Sequence, residues 1–84
     1  MKTYILSYKR PVAYLRFTID AYVTLDEAEY VFEAKNDEDA IKQSDLWLSV
    51  IRLELDGTQY RAQGCSLTQV TKRTVKNYKE IQVA

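Results

Sequence analysis

From Ala13 to Leu25 the chain alternates without a break. The odd positions Ala13, Leu15, Phe17, Ile19, Ala21, Val23 and Leu25 are apolar, and all but the tyrosines among the even positions, Tyr14, Arg16, Thr18, Asp20, Tyr22 and Thr24, are polar. Side chains of an extended backbone point to opposite faces in turn, so this pattern predicts a β-strand with one wet face. The run is long for one strand, and a bend or bulge is expected near Asp20-Ala21. Thr3 to Lys9, rich in tyrosine and aliphatic residues, reads as a preceding strand. Lys9-Arg10-Pro11 reads as the turn between them, because Pro11 has no N–H to give to a ladder. After the long run, Asp26-Glu27 reads as a tight acidic turn. Ala28, Tyr30, Phe32 and Ala34, alternating with Glu29, Val31 and Glu33, then read as a third strand.

Alternation stops at Ala34-Lys35. Asn36 or Asp37 can cap a helix, since its side-chain oxygen can accept an orphan backbone N–H. Asp37, Glu38 and Asp39 then occupy the first turn, where the helix dipole favours negative charge. Ala40, Ile41, Ser44, Trp47, Leu48 and Ile51 follow at helical spacing. The acids are therefore read as the start of a helix over residues 37 to about 48. A calcium loop beginning at Asp37 would need Gly at its sixth position and Glu at its twelfth, where this chain has Lys42 and Leu48. A catalytic pair of carboxylates needs a pocket that separates their pKa values, whereas Lys35 and Lys42 flank these acids at a solvated helix end.

Ser49 to Leu55 satisfies both a helical and an alternating pattern. Asp56-Gly57 is a dipeptide favoured in two-residue hairpins, so a hairpin is expected across it, with Thr58 to Ala62 as the far arm. Gly64-Cys65-Ser66 is expected to break that arm. Leu67 to Arg73 reads as a strand, and Thr74 to Val83 fits neither period. The expectation is a single α+β domain over residues 1–84. Its sheet is mostly antiparallel, with five to six strands in the order β-β-β-α-β-β-(β) and one helix packed on one face. Trp47, Leu48 and Ile51 are expected to press on Leu15, Phe17, Ile19, Tyr30 and Phe32.

The chain has 84 residues, with 46% hydrophobic and 29% charged, which suits one globular domain. It contains no histidine, which removes the commonest general base near neutral pH and the commonest zinc ligand. Its one cysteine, Cys65, has no histidine to activate it and no partner for an internal disulfide. Phosphate-loop and dinucleotide fingerprints are absent from the sequence. These features point away from an enzyme, a metal site and a cofactor. With no apolar run of membrane-spanning length and no secretory leader pattern, a cytoplasmic location is expected.

Binding is the remaining class. The formal net charge is zero, yet residues 17–56 carry eleven acids and three bases, while residues 57–84 carry five bases and one acid. Seven tyrosines supply contact area at low entropic cost. The candidate partner-binding residues are Asp26, Glu27, Glu29, Glu33, Asp37, Glu38 and Asp39, with Tyr14 and Tyr22 on the polar side of the long strand. Simple cross-strand pairing accounts equally well for the two tyrosines. The alternative is a nucleic-acid-binding segment formed by Lys72, Arg73, Lys76 and Lys79 around Tyr78. A free sheet edge can also pair two copies into a homodimer.

Two segments, YVFEAKNDEDAI from Tyr30 to Ile41 and VIRLELDG from Val50 to Gly57, resemble small phage-encoded proteins built from strands, one helix and a hairpin. Some anti-CRISPR inhibitors are among them. The resemblance implies a non-enzymatic blocker, working in the host cell of a phage, that covers the nucleic-acid-binding surface of a defence nucleoprotein complex. The long Ala13–Leu25 run and the basic C-terminal segment depart from that pattern.

Overall fold

The computed structural model describes residues 1–15, 21–70 and 74–77. It shows an α+β fold with one helix and antiparallel sheets, as expected. The elements are β1 (Lys2–Leu15), β2 (Ala21–Ala34), α1 (Asp37–Val50), β3 (Arg52–Leu55), β4 (Thr58–Arg61), β5 (Gln63–Gln69) and β6 (Thr74–Asn77). Four strands form one sheet in the order β2-β1-β5-β6, and β3-β4 is a separate hairpin.

The N-terminal strands are divided differently from the expectation. The sequence predicted three strands with turns at Lys9-Arg10-Pro11 and Asp26-Glu27. Instead β1 and β2 are two strands of fourteen residues that run straight through both sites. They pair in one unbroken register from Lys2↔Ala34 to Leu15↔Ala21. The continuous Ala13–Leu25 strand is thus the two facing ends of a hairpin, and residues 16–20, with Phe17 and Ile19, lie outside the described residues. The alternation survives the reversal because every pair in the register joins two odd or two even positions, so parity marks the same face on both strands. The supposed turns also have a physical identity. Lys9 lies opposite Glu27 and Arg10 opposite Asp26. Opposite charges on facing residues contribute roughly 0.2–1 kcal/mol per pair.

Pro11 fits inside β1 for a reason that the register supplies. The carbonyl of Thr3 accepts from the Val70 N–H on the β5 side. Both backbone polar groups of a residue in an antiparallel ladder point to one side, and neighbours alternate. Odd residues of β1 therefore face β5 and even residues face β2. Pro11 faces the β5 side, beyond Lys9↔Gln63 where that pairing ends, so its missing N–H removes no ladder bond.

The core lies between the even face of the β1–β2 ribbon and α1. Tyr4, Leu6, Tyr8, Phe32 and Ala34 are buried there together with Ala40, Leu48, Ala62, Cys65 and Leu67. Tyr30, Ile41, Trp47 and Ile51 pack around them. Leu48, Trp47 and Ile51 share this cluster with Tyr30 and Phe32, as expected. The expected odd face is not the one that is buried: Leu15 holds an odd register position, Phe17 and Ile19 lie outside the described residues, and the even residues Tyr4 and Leu6 with Leu67 occupy the centre. Trp47 stacks on Tyr30 with ring centroids 4.0 Å apart and donates its indole N–H to the Tyr8 hydroxyl at 3.1 Å. Ala40, Ser44 and Leu48 form the buried stripe of α1, and its two small residues let the helix lie close to the sheet.

Asn36 caps α1 by accepting the Asp39 N–H at 2.8 Å. The helix runs two residues beyond the expected Leu48. It ends where Ile51 turns extended and donates its N–H to the Leu48 carbonyl. Arg52–Leu55 then forms β3, and both turn residues, Asp56 (φ 51) and Gly57 (φ 78), are left-handed as a type I′ turn requires. Gly64 does not break its strand. It sits at φ 56 inside β5, where two residues, Gly64 and Cys65, face the single Tyr8 of β1. That is a bulge, which twists the ladder without ending it. The predicted strand Leu67–Arg73 ends at Gln69. Residues 71–73 are outside the described residues, and Thr74–Asn77 pairs with β5 as β6.

Candidate protein-binding surface

The acids proposed from the sequence divide into two groups. Asp26, Asp37 and Asp39 are turned to internal partners. Asp37 accepts the Tyr4 hydroxyl at 2.6 Å. Burial, then the bond to Asp37 and the charges of Asp37 and Asp39, push the Tyr4 phenol up to about 12. Asp39 accepts the Lys35 N–H at 3.0 Å and the Gln43 amide at 3.1 Å. The Lys35 bond is the main cause holding its carboxyl below the ordinary carboxylate value, helped by Gln43 and by the charges of Lys35 and Lys42. With Asn36 this closes a reciprocal cap of the capping-box kind. Asp26 accepts from the Tyr14 hydroxyl at 2.8 Å and from Thr24 Oγ1 at 3.2 Å.

Glu27, Glu29 and Glu33 behave differently. All three are exposed and lie on the odd face of β2, with the 59% exposed Val31 between Glu29 and Glu33. This face of the sheet is opposite α1. Thr3, Ile5, Ser7 and Lys9 continue it on β1, and Ser66 and Thr68 on β5. Glu38 is exposed in the first turn of α1. Period-two spacing signalled Glu29 and Glu33, while Glu27 was expected in a turn; the open setting of all three depends on which face the helix covers, and that is a tertiary fact.

Tyr14 and Tyr22 face each other across the ribbon, stacked at 5.8 Å, and remain 41% and 40% exposed. Of the alternative nucleic-acid residues, Lys76 lies on β6 opposite Leu67, while Lys72, Arg73 and Lys79 lie outside the described residues. Cys65 is buried, and burial pushes its thiol up to about 11, which leaves the thiolate scarce at neutral pH. Among the described residues no group of three or more metal-ligating side chains comes together, and no helix is long and apolar enough to cross a membrane.

Two further features escaped sequence reasoning. One is the position of β2 at the edge of the sheet, with β1 its only neighbour among the described strands. The other is a shallow depression of about 460 Å³ at the Gly64 bulge, lined by Ser7, Lys9, Glu27, Glu29 and Gly64 among others. It lies over β1 between the bulge of β5 and the Glu27–Glu29 segment of β2, and a glycine alone does not announce a bulge. Comparison with known proteins finds no family model, no curated protein and no solved structure that matches this chain.

Proposed function

We propose that the protein is a non-enzymatic protein-binding module that presents an acidic sheet face to a basic surface of its partner. The observation that carries this reading is the exposed row Glu27, Glu29 and Glu33, set on one face of one strand, with Lys9 across from Glu27, and outside the hydrogen bonds that occupy Asp26, Asp37 and Asp39. Surface carboxylates in a fixed row steer a cationic surface and set its register. A basic surface of this kind otherwise holds nucleic acid, so its occupation would block that binding, as in the phage inhibitors that the sequence resembles.

The test compares two baits in a cell lysate: the native chain and a variant carrying Glu27→Lys, Glu29→Lys and Glu33→Lys. The side chains are exposed, so the variant is expected to fold, and its thermal melt checks this. The native bait is expected to retain a partner that the variant loses. Equal retention by both baits overturns the acidic-face reading. Tight, steeply salt-dependent binding of the native chain to generic DNA or RNA also counts against it, and favours the basic C-terminal segment.

A further inference from the structure

The outer edge of β2 has a definite hydrogen-bonding state. Thr3 faces β5, so its partner Glu33 faces away from β1. Gln43 confirms this independently, since its side-chain amide reaches the Glu33 carbonyl at 3.3 Å from outside the sheet. The register has no shift along its length, so the same holds at Ala21, Val23, Leu25, Glu27, Glu29 and Val31. Their N–H and C=O groups all point outward. The edge has no proline or bulge, two of the devices that normally close such an edge to added strands.

The residues with outward backbone groups are the same odd residues whose side chains line the open face. A strand added to this edge would therefore set every second side chain beside Glu27, Glu29, Val31 and Glu33. The depression at the Gly64 bulge adjoins the Glu27–Glu29 end of this row. A second copy of this chain suits the edge poorly. Two-fold pairing of residues 21–33, the longest overlap that matches outward-facing odd residues on both copies, sets Glu27 opposite its own copy, and like charges directly opposite repel.

We infer that the β2 edge docks an extended basic segment of a partner protein by strand addition, with cationic side chains opposite Glu27, Glu29 and Glu33 and an aliphatic one opposite Val31. This rests on the acidic-face reading and specifies the form that the partner takes. Main-chain bonds to Glu27, Glu29 and Val31 supply affinity, since the Glu33 carbonyl already accepts from Gln43, and the alternating side chains supply specificity. For an antiparallel strand the matching order is cation, any residue, aliphatic, any residue, cation, any residue, cation.

The probe is the capped peptide Lys-Thr-Val-Thr-Lys-Thr-Lys, compared with Lys-Lys-Lys-Thr-Thr-Thr-Val of equal composition and charge. Anisotropy gives affinity, and amide hydrogen exchange on the full chain gives the site. The alternating peptide is expected to bind roughly tenfold more tightly than the blocked one and to protect the Glu27, Glu29 and Val31 amides. Glu29→Lys should weaken it by a similar factor, and Glu29→Gln by less. Equal binding of both peptides without amide protection overturns strand addition and leaves an acidic surface that reads charge alone. Binding of neither peptide also overturns it, and the lysate comparison then decides the acidic-face reading separately. Protection of the same amides in the free chain, with dimeric sedimentation, overturns it in favour of a second copy.

Discussion

The β1–β2 ribbon is one continuous ladder, yet its two halves are stabilised by different physics. From Lys2 to Lys9 and from Glu27 to Ala34, the even face carries the buried Tyr4, Leu6, Tyr8 and Phe32, which share the core with residues of α1. From Arg10 to Tyr14 and from Ala21 to Asp26, Pro11 is the only buried residue. The molecule measures 48 Å along its long axis, close to the roughly 46 Å that a fourteen-residue strand spans at ~3.3 Å per residue. Each half contains a tyrosine–aspartate bond, Tyr4 to Asp37 at 2.6 Å and Tyr14 to Asp26 at 2.8 Å. Both phenols are raised above their ordinary value. Burial is the leading cause for Tyr4, whereas the bond to Asp26 leads for Tyr14. The same kind of bond is thus made by a fully buried tyrosine in one half and by a 41% exposed one in the other.

The largest test of this contrast is Trp47→Ala. Loss of the Tyr30 stack and the bond to Tyr8 should destabilise the domain by about 3 kcal/mol in urea unfolding, at the low end for aromatic truncation because Trp47 is half-buried. A melt equal to the parent's would break the assignment of the core. Next comes Asn36→Ala, expected to cost about 1 kcal/mol by leaving the Asp39 N–H uncapped. Tyr22→Ala removes the cross-strand stack on Tyr14 in the projecting half and should cost under about 1 kcal/mol. A cost as large as that of Trp47→Ala would mean that the projecting half is packed against something.

Alkaline titration sharpens the comparison further. A phenol whose folded pKa lies above its unfolded value keeps its proton in the native state after the unfolded chain has lost it. Stability is therefore complete below the unfolded value near 10 and declines as pH rises from there towards about 12 for Tyr4. Tyr4→Phe should flatten that decline more than Tyr14→Phe does. In ultraviolet difference spectra the tyrosinate signal missing from Tyr4→Phe should be among the last to appear.

What the sequence made legible was whatever is decided locally. Asn36, the acids of the first turn and Asp56-Gly57 act within a few residues of themselves, and the structure places each where the sequence put it. Glu29 and Glu33 were visible as neighbours on one strand face, because strand alternation is local, but Glu27 was read into a turn. The turns at Pro11 and Asp26-Glu27 were misplaced for a common reason. Charged and proline-containing stretches look alike whether they reverse the chain or face one another across a ladder, and only the partner strand tells them apart. The hairpin reversal was hidden by shared parity, which made two arms read as one strand. The edge position of β2 and the depression beside Gly64 depend on strand order and on a register shift, which no single segment encodes.

The chain's one proline works as a gauge of sheet width. Its ring is harmless only where two conditions coincide: an odd position on β1, and a point past the last β5 pairing. Shifted by one place, to Arg10 or Val12, a proline would point its missing donor at β2 and interrupt the ladder that holds the ribbon together. A proline scan along β1 would thus trace, position by position, where the sheet narrows from three strands to two.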